Sequence, residues 1–198
     1  MEQELFSQLL ERLPNSSQSR ARRYQSALSA YNYIAGRLLL QQGLDSLGYN
    51  SDLEKIEYQE NGKPSLPQVQ FNISHSGHQV ICGFASKGDI GVDIEKIEPI
   101  DLEDFVSMFS ALEWAAIKAS DNPLRSFYWF WTRKESIIKA LGLSLSFLHQ
   151  IDLDVTLGHF EVDGVRWYLR GLDVEGDFIG SVCCHERIGE IEVVEFEL

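Results

Sequence analysis

Apolar residues recur at helical spacing at Leu5, Phe6, Leu9 and Leu10, predicting a helix over residues 2–12. Pro14-Asn15-Ser16-Ser17 interrupts that pattern. A long helix is expected next, from about Ser19 to Leu47, with Leu28, Tyr31, Ile34, Ala35, Leu38 and Leu39 as its buried stripe and Gly43 loosening its end. The period then changes to two. Runs at 55–59, 69–73, 80–85 and 90–95 read as strands, with turns at Asn61-Gly62-Lys63-Pro64 and Lys87-Gly88-Asp89. The last three follow one another like hairpins, so at least part of the sheet is antiparallel. Between the second and third of the four runs lies Ser74-His75-Ser76-Gly77, a polar cluster expected at a strand end.

The second half repeats this order. Asp101 can cap a short helix through Phe109, and Ser110 with Glu113 has the spacing of a capping box. Asp121-Asn122-Pro123 opens another helix, carrying Phe127, Trp131, Ile138 and Leu141 and stopping at Gly142. Strands are expected over 150–156, 159–162, 165–172, 178–185 and 191–196, with Asp163-Gly164 as a hairpin turn. Residues 80–85 are similar in character to 180–185. The pattern predicts an α+β fold of two related halves, residues 1–99 and 100–198, with a cleft between them. One mixed sheet is the alternative.

The 198 residues suit one large domain or two small ones, and the net charge of −13 argues against nonspecific nucleic-acid or anionic-membrane binding. No run approaches the roughly 20 apolar residues that span a bilayer. Met1-Glu2-Gln3-Glu4 lacks the basic and apolar regions of a signal peptide. Cys82, Cys183 and Cys184 read as reduced, buried thiols of a cytoplasmic protein, without the CxxC spacing of a zinc site. Basic residues cluster at Arg20, Arg22 and Arg23 and at Arg133, Lys134 and Lys139. Each cluster fits either a local anion site or ordinary helix solvation.

Three stretches carry candidate chemistry. In Gly91-Val92-Asp93-Ile94-Glu95 the two carboxylates share one face of a strand, about 6.5 Å apart along it. Such a pair suits a hard divalent cation, or is simply a solvated acidic face. In Trp131-Thr132-Arg133-Lys134-Glu135-Ser136-Ile137-Ile138-Lys139, Glu135 and Lys139 share a helix face with Trp131, which fits a site or a surface ion pair. In Phe71-Asn72-Ile73-Ser74-His75-Ser76-Gly77, small hydrogen-bonding groups and an imidazole fit phosphate oxygens or a polar turn. A serine-hydrolase reading of Ser76 fails for want of a nucleophile elbow.

Together with Gly62-Lys63-Pro64, these stretches resemble the Sfp-type 4′-phosphopantetheinyl transferases, over about residues 55 to 145. The resemblance implies a pseudo-twofold pair of α+β subdomains with coenzyme A in the cleft. It implies Mg²⁺ on Asp93, Glu95 and Glu135, phosphate contacts from Lys139, Ser74 and His75, and Lys63 and Pro64 beside the nucleotide. Glu113 falls where many members have another carboxylate near the metal. Arg20 falls near a usually basic position. Many members also carry an arginine four residues before the glycine that is Gly36 here; this chain has Asn32, so Arg23 or Arg37 substitutes or the nucleotide binds more weakly.

The implied reaction moves 4′-phosphopantetheine from coenzyme A to a serine of an apo acyl or peptidyl carrier protein and releases 3′,5′-ADP. Glu135, Glu113 or a metal-bound water would take the serine proton, Lys139 would stabilise the phosphates, and the enzyme would be a monomer. Carriers of this kind are typically acidic, so the apolar stretch from Val106 to Trp114, with Phe105, Met108 and Phe109, is the expected dock. A noncatalytic coenzyme A or carrier-binding relative and a different Mg²⁺-dependent nucleotide enzyme are the alternatives.

Overall fold

A computed structural model describes residues 2–153, 158–162 and 164–196. The chain opens with α1 (Glu2–Glu11) and α2 (Asn15–Ala21), followed by α3 (Ala27–Ser46). The expected single helix from Ser19 to Leu47 is therefore two. Ser26 adopts extended backbone and its side chain accepts from the Ser29 amide, so a new helix starts there. The buried face of α3 begins at Ala30 and runs through Ile34, Leu38, Leu40 and Leu44, leaving Leu28 51% exposed. Gly43 lies inside α3 and does not loosen its end. A Cβ there would overlap the Phe84 ring, so the glycine admits close packing.

Two short strands, β1 (Glu57–Tyr58) and β2 (Pro64–Ser65), pair across the Asn61-Gly62 turn. An antiparallel hairpin follows, β3 (Gln70–Ser76) with β4 (Gln79–Ala85). Ser74, His75 and Ser76 are thus members of a paired strand rather than a strand-end turn; the turn comes at Gly77, where φ is +54°.

The next strand, β5 (Ile90–Lys96), does not extend that hairpin's ladder. It pairs with β8 (Phe178–Cys184), in a four-stranded antiparallel sheet of order β5-β8-β7-β6, with β6 at His159–Val162 and β7 at Val165–Leu172. One strand from early in the chain is thereby built into a sheet from its end. Two stretches expected as strands are not. Residues 145–150 form a 3-10 turn and 151–153 are irregular, while 154–156 lie outside the described residues. Residues 191–196 join no ladder, and Val193 and Val194 are exposed. Alternation specifies two faces, but a strand also needs a neighbouring edge to bond.

Between the sheets' strands lie a 3-10 segment (Leu102–Met108), α4 (Ala111–Ala119) and α5 (Pro123–Leu141). Both helix starts are as expected. Ser110 and Glu113 complete a capping box, Asn122 caps α5 ahead of Pro123, and Gly142, in the left-handed region, ends it. One core gathers Leu10, Ile34, Leu38, Leu44 and Phe71 around α3, and another gathers Phe109, Ile117, Phe127, Phe130, Ile137 and Cys183 around α5. A small cluster of Ile90, Val92 and Val182 lies on β5 and β8. The three cysteines are free thiols, Cys183 buried and the other two half-buried.

Candidate active site

Helix α5 lies directly on β5. A Cβ on Gly91 would fall inside the Ser136 carbonyl and the Ala140 amide, so only glycine lets the helix come this close. Val92 and Ile94 are buried, and Asp93 is 2% exposed. The approach of α5 sets Lys139 on Asp93, with Nζ 2.6 Å from Oδ1 and 2.8 Å from the Ser74 hydroxyl. Within the chain itself, the cation beside Asp93 is Lys139.

The opposite edge of β5 is closed in an unusual way. Its ladder with β8 occupies one edge. On the other, the Val92, Ile94 and Lys96 amides donate to the side chains of Asn72, Ser74 and Ser76 on β3, at 3.0, 3.4 and 3.0 Å. The same two serine hydroxyls donate to the acidic pair: Ser74 to Asp93 Oδ1 at 2.8 Å and Ser76 to Glu95 Oε2 at 2.6 Å. Asp93 Oδ2 is buried and has no hydrogen-bond partner among the described residues.

Three carboxyls here resist ionisation. Burial pushes Asp93 up, against the pull of Lys139 and Ser74. Burial likewise raises Glu95, opposed by Ser76 and the Trp131 indole and assisted by Asp93. Glu135 rises to about 7, through burial first and then the charges of Asp93 and Glu95. The strand pair and the helix carboxylate are thus close enough for their charges to act on one another. Among the described residues, however, no three histidine, cysteine or carboxylate side chains stand gathered as a ready metal site.

A profile of the 4′-phosphopantetheinyl transferase superfamily matches residues 89–183, which include Asp93, Glu95, Glu135 and Lys139. The chain is 40% identical to the 4′-phosphopantetheinyl transferase Sfp of Bacillus subtilis over 134 residues, 64% of this chain and 59% of the relative. It is 32% identical to another 4′-phosphopantetheinyl transferase of Bacillus subtilis over 179 residues, 83% of this chain and 78% of the relative. The chain belongs to the 4′-phosphopantetheinyl transferase superfamily. This is a family of transferases, and its mixed α+β character agrees with the fold. A third member, the transferase gsp of Aneurinibacillus migulanus, is 34% identical over 72% of this chain and 61% of its own. The chain thus spans under two thirds of the length of two of these three relatives. Among the described residues, no helix is long and apolar enough to cross a membrane.

Against the residues expected from the transferase family, the placements divide. Asp93, Glu95, Glu135, Lys139 and Ser74 come together. His75 alternates to the other face of β3 and is exposed, and its imidazole is held below the usual histidine range by partial burial and the Lys139 charge. Glu113 is placed elsewhere. It is 2% exposed, accepts from the Ser110 and Leu153 amides, and pairs with buried Lys134 at 2.6 Å. Both of its oxygens are engaged in holding α4, α5 and residue 153 together.

Lys63 donates to the Ala140 and Ile90 carbonyls, and Asn61 to the Gly142 carbonyl, so this turn caps the end of α5; Pro64 follows in β2. Asn32 donates to the Gly77 carbonyl and braces the hairpin. Arg20 lies over the Tyr33 and Tyr58 rings and, with Arg23 and Tyr24, lines a cavity of about 560 Å³. Arg37 is buried behind it, bonded to the Tyr58 hydroxyl at 2.8 Å with Nη1 unpartnered among the described residues. The expected dock is partly closed. Phe109 is buried and Phe105 and Met108 pack inward, leaving Val106 and, at 78%, Leu112 exposed.

The sequence offers Asn72 and Ser76 only as polar groups of one stretch and Lys134 only as part of a basic cluster, not as the β5 amide acceptors and the buried partner of Glu113 that they are. The first two were detectable in principle: Asn72, Ser74 and Ser76 keep the same period of two as Asp93 and Glu95.

Proposed function

We propose that this chain transfers 4′-phosphopantetheine from coenzyme A to a serine of an apo acyl or peptidyl carrier protein, releasing 3′,5′-ADP. The observation that carries the reading is the convergence of Asp93, Glu95 and Glu135 with Lys139 across β5 and α5, inside the region matched by the family.

Mg²⁺ fits the donors: three hard carboxylate oxygens, one of them the buried, unpartnered Oδ2 of Asp93. Asp93, Glu95 and Glu135 would hold it, and bound there it supplies charge neutralisation at the pyrophosphate. The serine oxygen forms a bond to the phosphorus that carries the pantetheine arm. The bond from that phosphorus to the bridging oxygen breaks, and its electron pair leaves on 3′,5′-ADP. Lys139 and Ser74 would contact the phosphates at this site, and the phosphate contact expected of His75 would come from the other face of β3. Glu135 or a water would take the serine proton, in keeping with a Glu113 whose two oxygens are engaged by Lys134 and two backbone amides. In this reading Arg20 and Arg23, with Arg37 behind them, hold the nucleotide end where Asn32 does not. The halves 1–99 and 100–198 then divide the work: the first holds coenzyme A and supplies the β5 carboxylates, and the second brings α5 and receives the carrier at Val106 and Leu112.

The test is incubation with coenzyme A, Mg²⁺ and a panel of apo carrier proteins, read by mass spectrometry. A phosphopantetheine-sized gain on one serine is the expected result. Coenzyme A binding with no carrier modified points to the noncatalytic relative, and coenzyme A turnover without carrier points to a different nucleotide enzyme.

A further inference from the structure

Strand β5 is held by two unlike edges. Toward β8 it has an ordinary backbone ladder. Toward β3 its amides are met by side chains, and the three side-chain bonds differ in what else they do. Among the described residues, Asn72 accepts from the Val92 amide and meets no carboxylate. Ser74 is shared among the Ile94 amide, Asp93 and Lys139. Ser76 accepts from the Lys96 amide at 3.0 Å and donates its single proton to Glu95 Oε2 at 2.6 Å.

We propose that Ser76 is a positioning residue, which sets the Glu95 carboxylate for a divalent cation. The inference rests on the metal-site reading above. A glutamate side chain has three rotatable bonds, and Glu95 is only half-buried, so packing alone does not choose its rotamer. The Ser76 hydroxyl does. Its oxygen is anchored by a backbone amide of the strand that carries Glu95, which holds the hydroxyl within hydrogen-bond reach of the carboxylate. Oε2 is thereby engaged, and Oε1 is the oxygen presented to a cation. Asp93 has Lys139 to orient it as well as Ser74, so its geometry rests on two groups. Glu95 is met by the Ser76 hydroxyl and the Trp131 indole, and among the described residues no lysine or arginine is paired with it.

The role predicts a sharp contrast between neighbouring positions of the seam. In the full chain without coenzyme A, Mn²⁺ titrated by electron paramagnetic resonance reports cation binding directly. Ser76→Ala is expected to weaken Mn²⁺ binding by about tenfold, the usual loss when a partner that orients a ligand is removed. Ser76→Thr keeps the hydroxyl and is expected to restore most of the affinity. Asn72→Ala removes a bond of the same seam that touches no carboxylate, and is expected to lower the unfolding temperature while leaving Mn²⁺ affinity in place. Unchanged Mn²⁺ affinity in Ser76→Ala overturns the proposal, and so does an equal loss in Asn72→Ala, which would make the seam as a whole responsible. If the unsubstituted chain binds no Mn²⁺, the metal-site reading itself fails, and the proposal falls with it.

Discussion

Glu135 should cost the metal-free protein stability at neutral pH, and replacing it with glutamine should recover that loss. Burial, then Asp93 and Glu95, raise its carboxyl from 4.5 to about 7, with Lys139 pulling the other way. Such a rise corresponds to ~3 kcal/mol of discrimination against the carboxylate, at about 1.36 kcal/mol per tenfold. Glu135 retains some solvent contact, and screening brings the expected effect to about 1–2 kcal/mol. The sign follows from proton binding. Above 4.5 the unfolded chain has released this proton while the folded chain keeps it to about 7, so stability falls as pH rises through that window. Asp93 and Glu95 are shifted the same way and deepen the slope. Urea unfolding in EDTA from acid to slightly alkaline pH measures it. Glu135→Gln should match the parent at the acid end, where both groups are neutral, and exceed it at the alkaline end, with a shallower slope. A variant that is less stable at alkaline pH, or that keeps the parent's full slope, would refute the like-charge reasoning. The same variant should lose phosphopantetheine transfer, so stability and activity move in opposite directions.

Two further outcomes follow from packing. Gly91→Ala should destabilise the fold by at least about 1–3 kcal/mol, because the added methyl meets the α5 backbone, which cannot rotate away as a side chain would; a denaturation midpoint equal to the parent's would show that α5 does not rest on β5 this closely. Glu113→Ala should cost about 3–5 kcal/mol by leaving Lys134 buried and unpaired, and an unchanged unfolding temperature with lost turnover would instead return Glu113 to the catalytic set.

Much of the local structure was legible along the chain. Each helix start with a capping residue, and each tight turn with a glycine, is a local event decided within a few residues. Ser110 with Glu113, Asn122-Pro123 and Gly142 behave as expected. The period-two run at 90–95 also assigned faces correctly: Val92 and Ile94 inward, Asp93 and Glu95 turned to the β3 serines.

Partner choice was not legible. Nothing local to Ile90–Lys96 says that its ladder is with a strand some ninety residues later rather than with the hairpin before it. The two uses of Glu113 and Glu135 show the same limit. Each is a helix carboxylate near a lysine in sequence or space, yet one neutralises a buried lysine and the other faces two carboxylates. Residue type and spacing determined which groups carry charge and which face they take. The long-range approach of α5 to β5, permitted by the missing side chain of Gly91, decided which charges meet, because burial and a few ångströms of separation govern electrostatics that sequence distance does not encode.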